Sequence, residues 1–304
     1  MAEEQLFALA LDSMRSGEAL SKEQLSALSH LEHGELDAFA LTWGTLDPGR
    51  RRGILGQLSQ AEHTTLRHDF NPIYGLALDD PDALVRKAAI ESIVEDDSAR
   101  LLDRLVGLAN DDPDGAVKQA ALACLGPYAL RVELGDIDAT QRGRLETCLL
   151  AAVRDVDAPA EWRGNALASL GYLDSDAVAA EIRRAFADPV LKLAAVRAMG
   201  RTANPGWIPL LRQEARAKGA ALREEVARAA GELADMRATR FVIDMLDDPN
   251  MAVRLAAIRS LGQIGGDEAR EGLIYAVEDK REQIRTAAKA AIEALDAGED
   301  PLAL

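Results

Sequence analysis

The chain has 304 residues and a net charge of −16, with a sequence pI near 4.8. That charge excludes a general affinity for phosphate backbones or anionic membrane surfaces, because both need a cationic face. Hydrophobic residues make up 48% of the chain and aromatics only 4%, so the core must be built from Ala, Leu, Val and Ile, which suits closely stacked helices.

The N-terminal sequence MAEEQLFALAL carries acidic residues where a secretory signal needs basic ones. No apolar run approaches the roughly 20 residues that span a bilayer. These features read as a soluble, cytoplasmic protein. Residues 1–34 predict a helical cap, with helices around 3–14 and 22–32. ELDAFALTWGTL (35–46) and DPGRRRGILGQL (47–58) predict a degenerate first hairpin anchored near Arg52, and Trp43 reads as a packing residue of the N-terminal region.

From residue 79 one phrase recurs: DDPDALVRKAAIESI (79–93), DDPDGAVKQAALACL (111–125) and DDPNMAVRLAAIRSL (247–261). Weaker copies are WRGNALASLG (162–171), LKLAAVRAMG (191–200), LREEVARAAG (222–231) and IRTAAKAAIEAL (284–295). Aligned on their basic anchors, Arg86, Lys118, Arg163, Lys192, Arg223, Arg254 and Arg285, successive copies stand 32, 45, 29, 31, 31 and 31 residues apart. A fixed period of this length is the mark of a stacked repeat array.

With the anchor numbered zero and 100° of turn per residue, positions −1, +3, +4 and +7 share one apolar sector of a helix of about three turns. The Asp-Asp-Pro segment offers an N-cap carboxylate, with proline near the first helical position. Gly126, Gly171, Gly200, Gly231 and Gly262 at +8 are expected to stop the helix in a left-handed conformation. Other apolar-periodic stretches precede these helices at 99–110, 177–188, 207–217, 238–248 and 271–279, so each unit reads as helix, turn, helix. No stretch alternates with the period of a strand.

The 45-residue interval exceeds the common 31 by 14, and the surplus in PYALRVELGDIDATQRG (127–143) predicts either a projecting loop or a bend. The array is expected to end near residue 295, leaving 296–304 as an acidic tail.

These elements resemble the short HEAT-like repeats of bacteria, the kind found in phycobilisome-lyase-type repeat proteins. The Asp-Pro turn, Val-Arg anchor, Ala-Ala pair and closing Leu-Gly carry the resemblance over about residues 45–295. It implies an all-α, right-handed α-solenoid of about eight helical hairpins, one continuous domain with its array over 35–295. It also implies a scaffold or adaptor that binds a protein or peptide. Three enzyme readings come with it, bilin lyases, di-iron hydroxylases and HEAT-like alkylpurine DNA glycosylases; the last use a basic concave surface with aromatic residues, and strong net acidity and sparse aromatics argue against them. No residue set here matches chromophore attachment, and the recurring His-Glu dipeptides of the hydroxylases are absent.

Candidate sites are few. His30 and His33 have a spacing seen in metal sites, and His63 and His68 lie nearby, but no second ligand pair accompanies them, so no metal and no cofactor is expected. Cys124 and Cys148 lack metal or redox spacing and read as reduced, buried small hydrophobes. Trp162 and Trp207 read as packing residues. The anchors are expected to form a structural ion-pair ladder with the turn aspartates. The partner-binding candidates are Arg197, Arg228 and Arg259 at position +5, with Arg201 and Gln263 beside them at +9. On the second helices, which line the concave face of such arrays, they would form a basic stripe for an acidic or phosphorylated partner. The same residues also fit a solvated face paired with Glu224, Glu225 and Glu232.

Overall fold

A computed structural model describes residues 2–64, 68–93, 99–138 and 140–299. Among them there are helices and no strand. The chain divides into two compact units, Met1–Cys148 and Leu149–Leu304.

The first unit contains α1 (Ala2–Ser16), α2 (Lys22–Ala27), α3 (His33–Trp43), α4 (Pro48–Thr64), α5 (Asn71–Ala77), α6 (Ala83–Ser92), α7 (Ala99–Asp111), α8 (Gly115–Leu134) and the start of α9 (Thr140–Arg154). Helices α1, α3 and α5 pack in one layer and α2, α4, α6 and α8 in the other. The N-terminal pair α1 and α2 thus continues both layers of the stack. Helix α2 ends sooner than the sequence suggests, because His30 takes a left-handed φ of 57° and donates its backbone N–H to Asp69 O at 2.9 Å.

The second unit contains α10 (Ala160–Leu170), α11 (Asp176–Ala187), α12 (Lys192–Arg201), α13 (Ile208–Glu214), α14 (Ala220–Leu233), α15 (Thr239–Asp244), α16 (Met251–Ile264), α17 (Asp267–Val277) and α18 (Glu282–Glu299). Here α10, α12, α14, α16 and α18 pack in succession, and α11, α13, α15 and α17 lie against their own second helices. The apolar sector read from the sequence is buried: Val226, Ala227, Ala230, Val253, Ala257, Ile258 and Leu261 are all closed to solvent. Helix α18 continues through Asp296, which pairs with Arg270, to Glu299; residues 300–304 lie outside the described residues.

Three sequence expectations change in the structure. The surplus of the 45-residue interval forms no loop over 127–134: α8 runs through Pro127 to Leu134 and is closed by Gly135 at φ 83°. In the Asp-Asp-Pro phrase the proline precedes the cap. The residue after it, Asp82, Asp114 or Asn250, accepts the first free helical N–H groups. The +8 glycines are not left-handed stops either. At Gly171, Gly200 and Gly231 the backbone of the next second helix comes close instead. A methyl group on Gly171 would stand 2.6 Å from Ala198 O, one on Gly200 2.6 Å from Ala229 Cα, and one on Gly231 2.8 Å from Ser260 Cα.

Each of those neighbours is a small residue at +6 of the next repeat, and Ser260 adds a hydrogen bond to Ala227 O at 2.6 Å. Gly200→Ala is therefore expected to destabilise the protein by about 1–3 kcal/mol, since backbone must move to admit the methyl group. Gly53→Ala, on α4 with no heavy atom within 4 Å of the added carbon, is expected to raise stability by about 0.5–1 kcal/mol. Thermal denaturation of the two variants checks both signs.

Candidate functional site

The recurring polar site lies at the turn before each second helix. In the phrase Asp79-Asp80-Pro81-Asp82, the carboxylate of Asp80 accepts the N–H of Asp82 at 3.0 Å and so fixes the turn. Asp112 does the same for Asp114 at 2.9 Å and Asp248 for Asn250 at 2.8 Å. All three aspartates are buried. A buried carboxylate needs charged partners, and the anchor arginine of the preceding repeat supplies them.

Arg86 donates through Nε and Nη2 to both oxygens of Asp112, at 2.8 and 2.7 Å, while its Nη1 donates to the carbonyls of Asp80 and Pro81. Arg223 repeats this arrangement on Asp248, at 2.6 and 2.9 Å, with Nη1 on the carbonyls of Ala217 and Lys218. One guanidinium thus closes its own turn and holds the next. Earlier in the chain Asp80 is held by Arg51 at 2.6 Å and by the indole N–H of Trp43 at 2.9 Å. Arg51, and not Arg52, therefore reaches this carboxylate; Arg52 lies at 3.2 Å from the partly exposed Asp82.

The other anchors depart from the fork. Lys192 reaches Glu214 at 2.7 Å, and Arg163 donates to Val153 O at 3.0 Å with Asp188 at 3.9 Å. The Lys118 ammonium, which has no fork to offer, donates to Asn110 O at 2.7 Å. Arg254 and Arg285 bind the carbonyls of their own turns, Asp248 O at 2.8 Å and Asp279 O at 3.0 Å. Burial is the strongest single influence on Asp112 and disfavours its charge, yet hydrogen bonds from Arg86 and the Asp114 N–H outweigh it and hold the carboxyl below the usual range. For Asp248 the hydrogen bonds from Arg223 dominate, and its carboxyl is likewise held low.

The +5 stripe is only partly free. Arg197 donates to both oxygens of the buried Glu225, at 2.9 and 3.0 Å, and Arg228 lies 2.9 Å from Glu224 and 3.7 Å from Glu225. Arg201 donates to Ala168 O at 2.8 Å and stacks on Tyr172 with 4.7 Å to the ring centroid. Arg259 is exposed, its only described hydrogen bond a 3.3 Å contact to Leu255 O within its own helix. Gln263 is exposed beside it, its side-chain oxygen lying over Gly231. The sequence carried a signal for the Arg197 pairing: position +2 is Ala194, Ala256 and Ala287 in the flanking repeats but Glu225 here.

Trp207 is buried beneath Arg183, with 4.9 Å from the guanidinium to its ring, and Trp162 is half-buried. Cys148 is buried as expected but Cys124 only half-buried; burial pushes both thiols up to about 11, which keeps them protonated at neutral pH. His30 contacts Ser29 Oγ at 2.7 Å, His33 opens α3, and His68 stacks on Phe70; the His63 side chain lies outside what the structure describes. Among the described residues no group of three His, Cys, Asp or Glu side chains is placed to hold a metal ion. No described helix is long and apolar enough to cross a membrane.

A sequence model of HEAT repeats matches residues 70–141, 184–250 and 208–296. No curated protein matches the chain. Among solved structures, a chain of the Kap95p–RanGDP complex aligns over 98% of this chain and 46% of its own length, at 13% identity and a TM-score of 0.56, so this chain spans about half of that one. An engineered protein aligns over 95% of this chain and 88% of its own, at 16% identity and a TM-score of 0.46. An armadillo repeat protein computationally designed for modular peptide recognition covers 64% of this chain and 99% of its own, at 17% identity and a TM-score of 0.40.

Arg86→Leu leaves Asp112 buried without its countercharge and is expected to cost about 3–5 kcal/mol, whereas Arg86→Leu with Asp112→Leu is expected to recover most of that loss. Because the folded-state pKa values of Asp112 and Asp248 are depressed, their contribution is complete above the ordinary aspartate value of about 3.9 and disappears as pH falls through the lower folded values. The thermal midpoint is therefore expected to stay level down to about pH 5 and to fall below about pH 4. The fall should be shallower in the double-leucine variant, as scanning calorimetry across pH can establish.

Proposed function

Since the chain belongs to the family of HEAT repeats, whose stacked units present long surfaces to partners, we propose that it is a non-catalytic scaffold or adaptor that binds a protein or peptide through the exposed face of its second helices. The supporting observation is the row formed by Arg228, Arg259 and Gln263 in a chain of net charge −16. These side chains lie on successive helices, α14 and α16, whose spacing is set by the Gly231–Ser260 contact. Arg259 offers its planar donors to a carboxylate or phosphate, and Arg228 offers those it does not share with Glu224.

Arg197 and Arg201 support this row from within. Arg197 neutralises Glu225, and Arg201 bridges to the neighbouring helix through Ala168 O and Tyr172. Reversing their charge would test stability, so the informative variant leaves both intact. In Arg228→Glu with Arg259→Glu, proteins captured by the wild type from an extract of the native organism are expected to be lost while far-UV circular dichroism is unchanged. Capture of the same proteins in the same yield would overturn the assignment of this face.

A further inference from the structure

The first helices of the second unit build a different feature. Between α13 and α15 a groove of about 860 Å³ is lined by Pro209, Arg212, Arg216, Arg240, Phe241 and Met245, among others. That volume is in the range of sites that bury a ligand. Phe241 and Met245 are buried and give it an apolar floor, and Pro209 and Pro249 form exposed apolar edges. The Arg223–Asp248 fork lies at its base, so the floor is fixed by the same contact that holds the stack.

Three guanidinium groups around this groove have few fixed partners. Arg212 rests 6.0 Å from the Phe241 ring and donates one 3.2 Å hydrogen bond, to Arg237 O. Arg216 is 3.9 Å from Asp244 with its side chain 89% exposed, and Arg240 is 3.6 Å from Glu268 with its side chain 81% exposed. Both ion pairs are longer than a hydrogen bond, so most of these donors face water. Asp244 and Asp247 also line the groove. They repel a uniformly anionic ligand, leaving the arginine side as the place where carboxylates can be neutralised.

We infer that the α13–α15 groove binds an extended acidic segment of a protein partner, with carboxylates on Arg212, Arg216 and Arg240 and an apolar side chain on Phe241 and Met245. Side chains two residues apart point the same way in an extended peptide, roughly 6.5–7 Å apart, so carboxylates flanking an apolar position match an apolar floor rimmed by guanidinium groups. Arg supplies forked, charge-assisted donors to each carboxylate. The groove is independent of the second-helix row.

A dodecamer random-peptide display library selected on the full-length chain tests this. The enriched sequences are expected to carry net negative charge with an apolar residue between Asp or Glu. The best of them, as a labelled synthetic peptide, is expected to bind about tenfold or more weakly to Arg216→Gln/Arg240→Gln and to weaken with added salt. These neutral substitutions at highly exposed positions leave the fold intact, which circular dichroism verifies, and Arg259→Glu is expected to leave binding unchanged. Enrichment without an acidic excess would overturn the inference. So would undiminished affinity for the glutamine variant, or loss only in Arg228→Glu/Arg259→Glu.

Discussion

The forked contact between an anchor arginine and the turn aspartate of the following repeat, made by Arg86 and by Arg223, ties neighbouring repeats together. Asp112 fixes its own turn by accepting the Asp114 N–H, and it can stay ionised while buried because Arg86 donates to both its oxygens. Arg86 in turn is held by the carbonyls of Asp80 and Pro81. Where the fork forms, at Arg86–Asp112 and at Arg223–Asp248, one repeat's turn is held by its neighbour, the nearest-neighbour coupling on which a stacked array depends. Arginine is required by geometry: a lysine ammonium has no second parallel donor, and Lys118 binds only a carbonyl of its own repeat.

The fork fixes the turns, but it leaves the distance between second helices open. That distance is set by the glycines at +8 and the small residues at +6, where backbone meets backbone at Gly171–Ala198, Gly200–Ala229 and Gly231–Ser260. An aliphatic core with few aromatics follows from this closeness, because helices at this distance leave room for Ala, Val and Leu. Arg197 belongs to that framework as well as to the surface, since it compensates Glu225, a carboxylate buried between α12 and α14.

Much of this was legible in one sequence because a repeated unit shows its own register. The period, the buried sector and the anchors at Arg86 and Arg223 follow from comparing the chain with itself. What misled were residues with two physical uses. A glycine closing an apolar helix looks the same whether it turns left-handed or admits a neighbouring helix, and only the partner helix decides between them. An Asp-Asp-Pro segment before a helix suggests a cap, yet here the cap is the residue after the proline and the second aspartate serves the preceding repeat. The surplus around Pro127 suggests a loop, but a helix can extend past an internal proline when its flanks are buried, and Leu125, Tyr128, Ala129 and Val132 are. The +5 arginines looked equivalent because their period is exact in number, whereas their pairing depends on Glu225, which a single repeat carries.

The outward positions of the helix layers change in charge from repeat to repeat. One period of 31 residues relates Arg212 to Ile243 and Ile274, Arg216 to Asp247 and Glu278, and Arg240 to Glu271. Along the first helices of the second unit the sign thus changes from basic at α13 and the start of α15 to acidic at α17, where Ile274 and Tyr275 are more than half exposed. Fields from surface charges are screened beyond about 8 Å at physiological ionic strength, so the net charge of the whole chain does not cancel a local group of guanidinium side chains. A partner that reads such a surface meets opposite charge at one end and like charge at the other. Its direction along the stack is then fixed by electrostatics before any apolar contact forms.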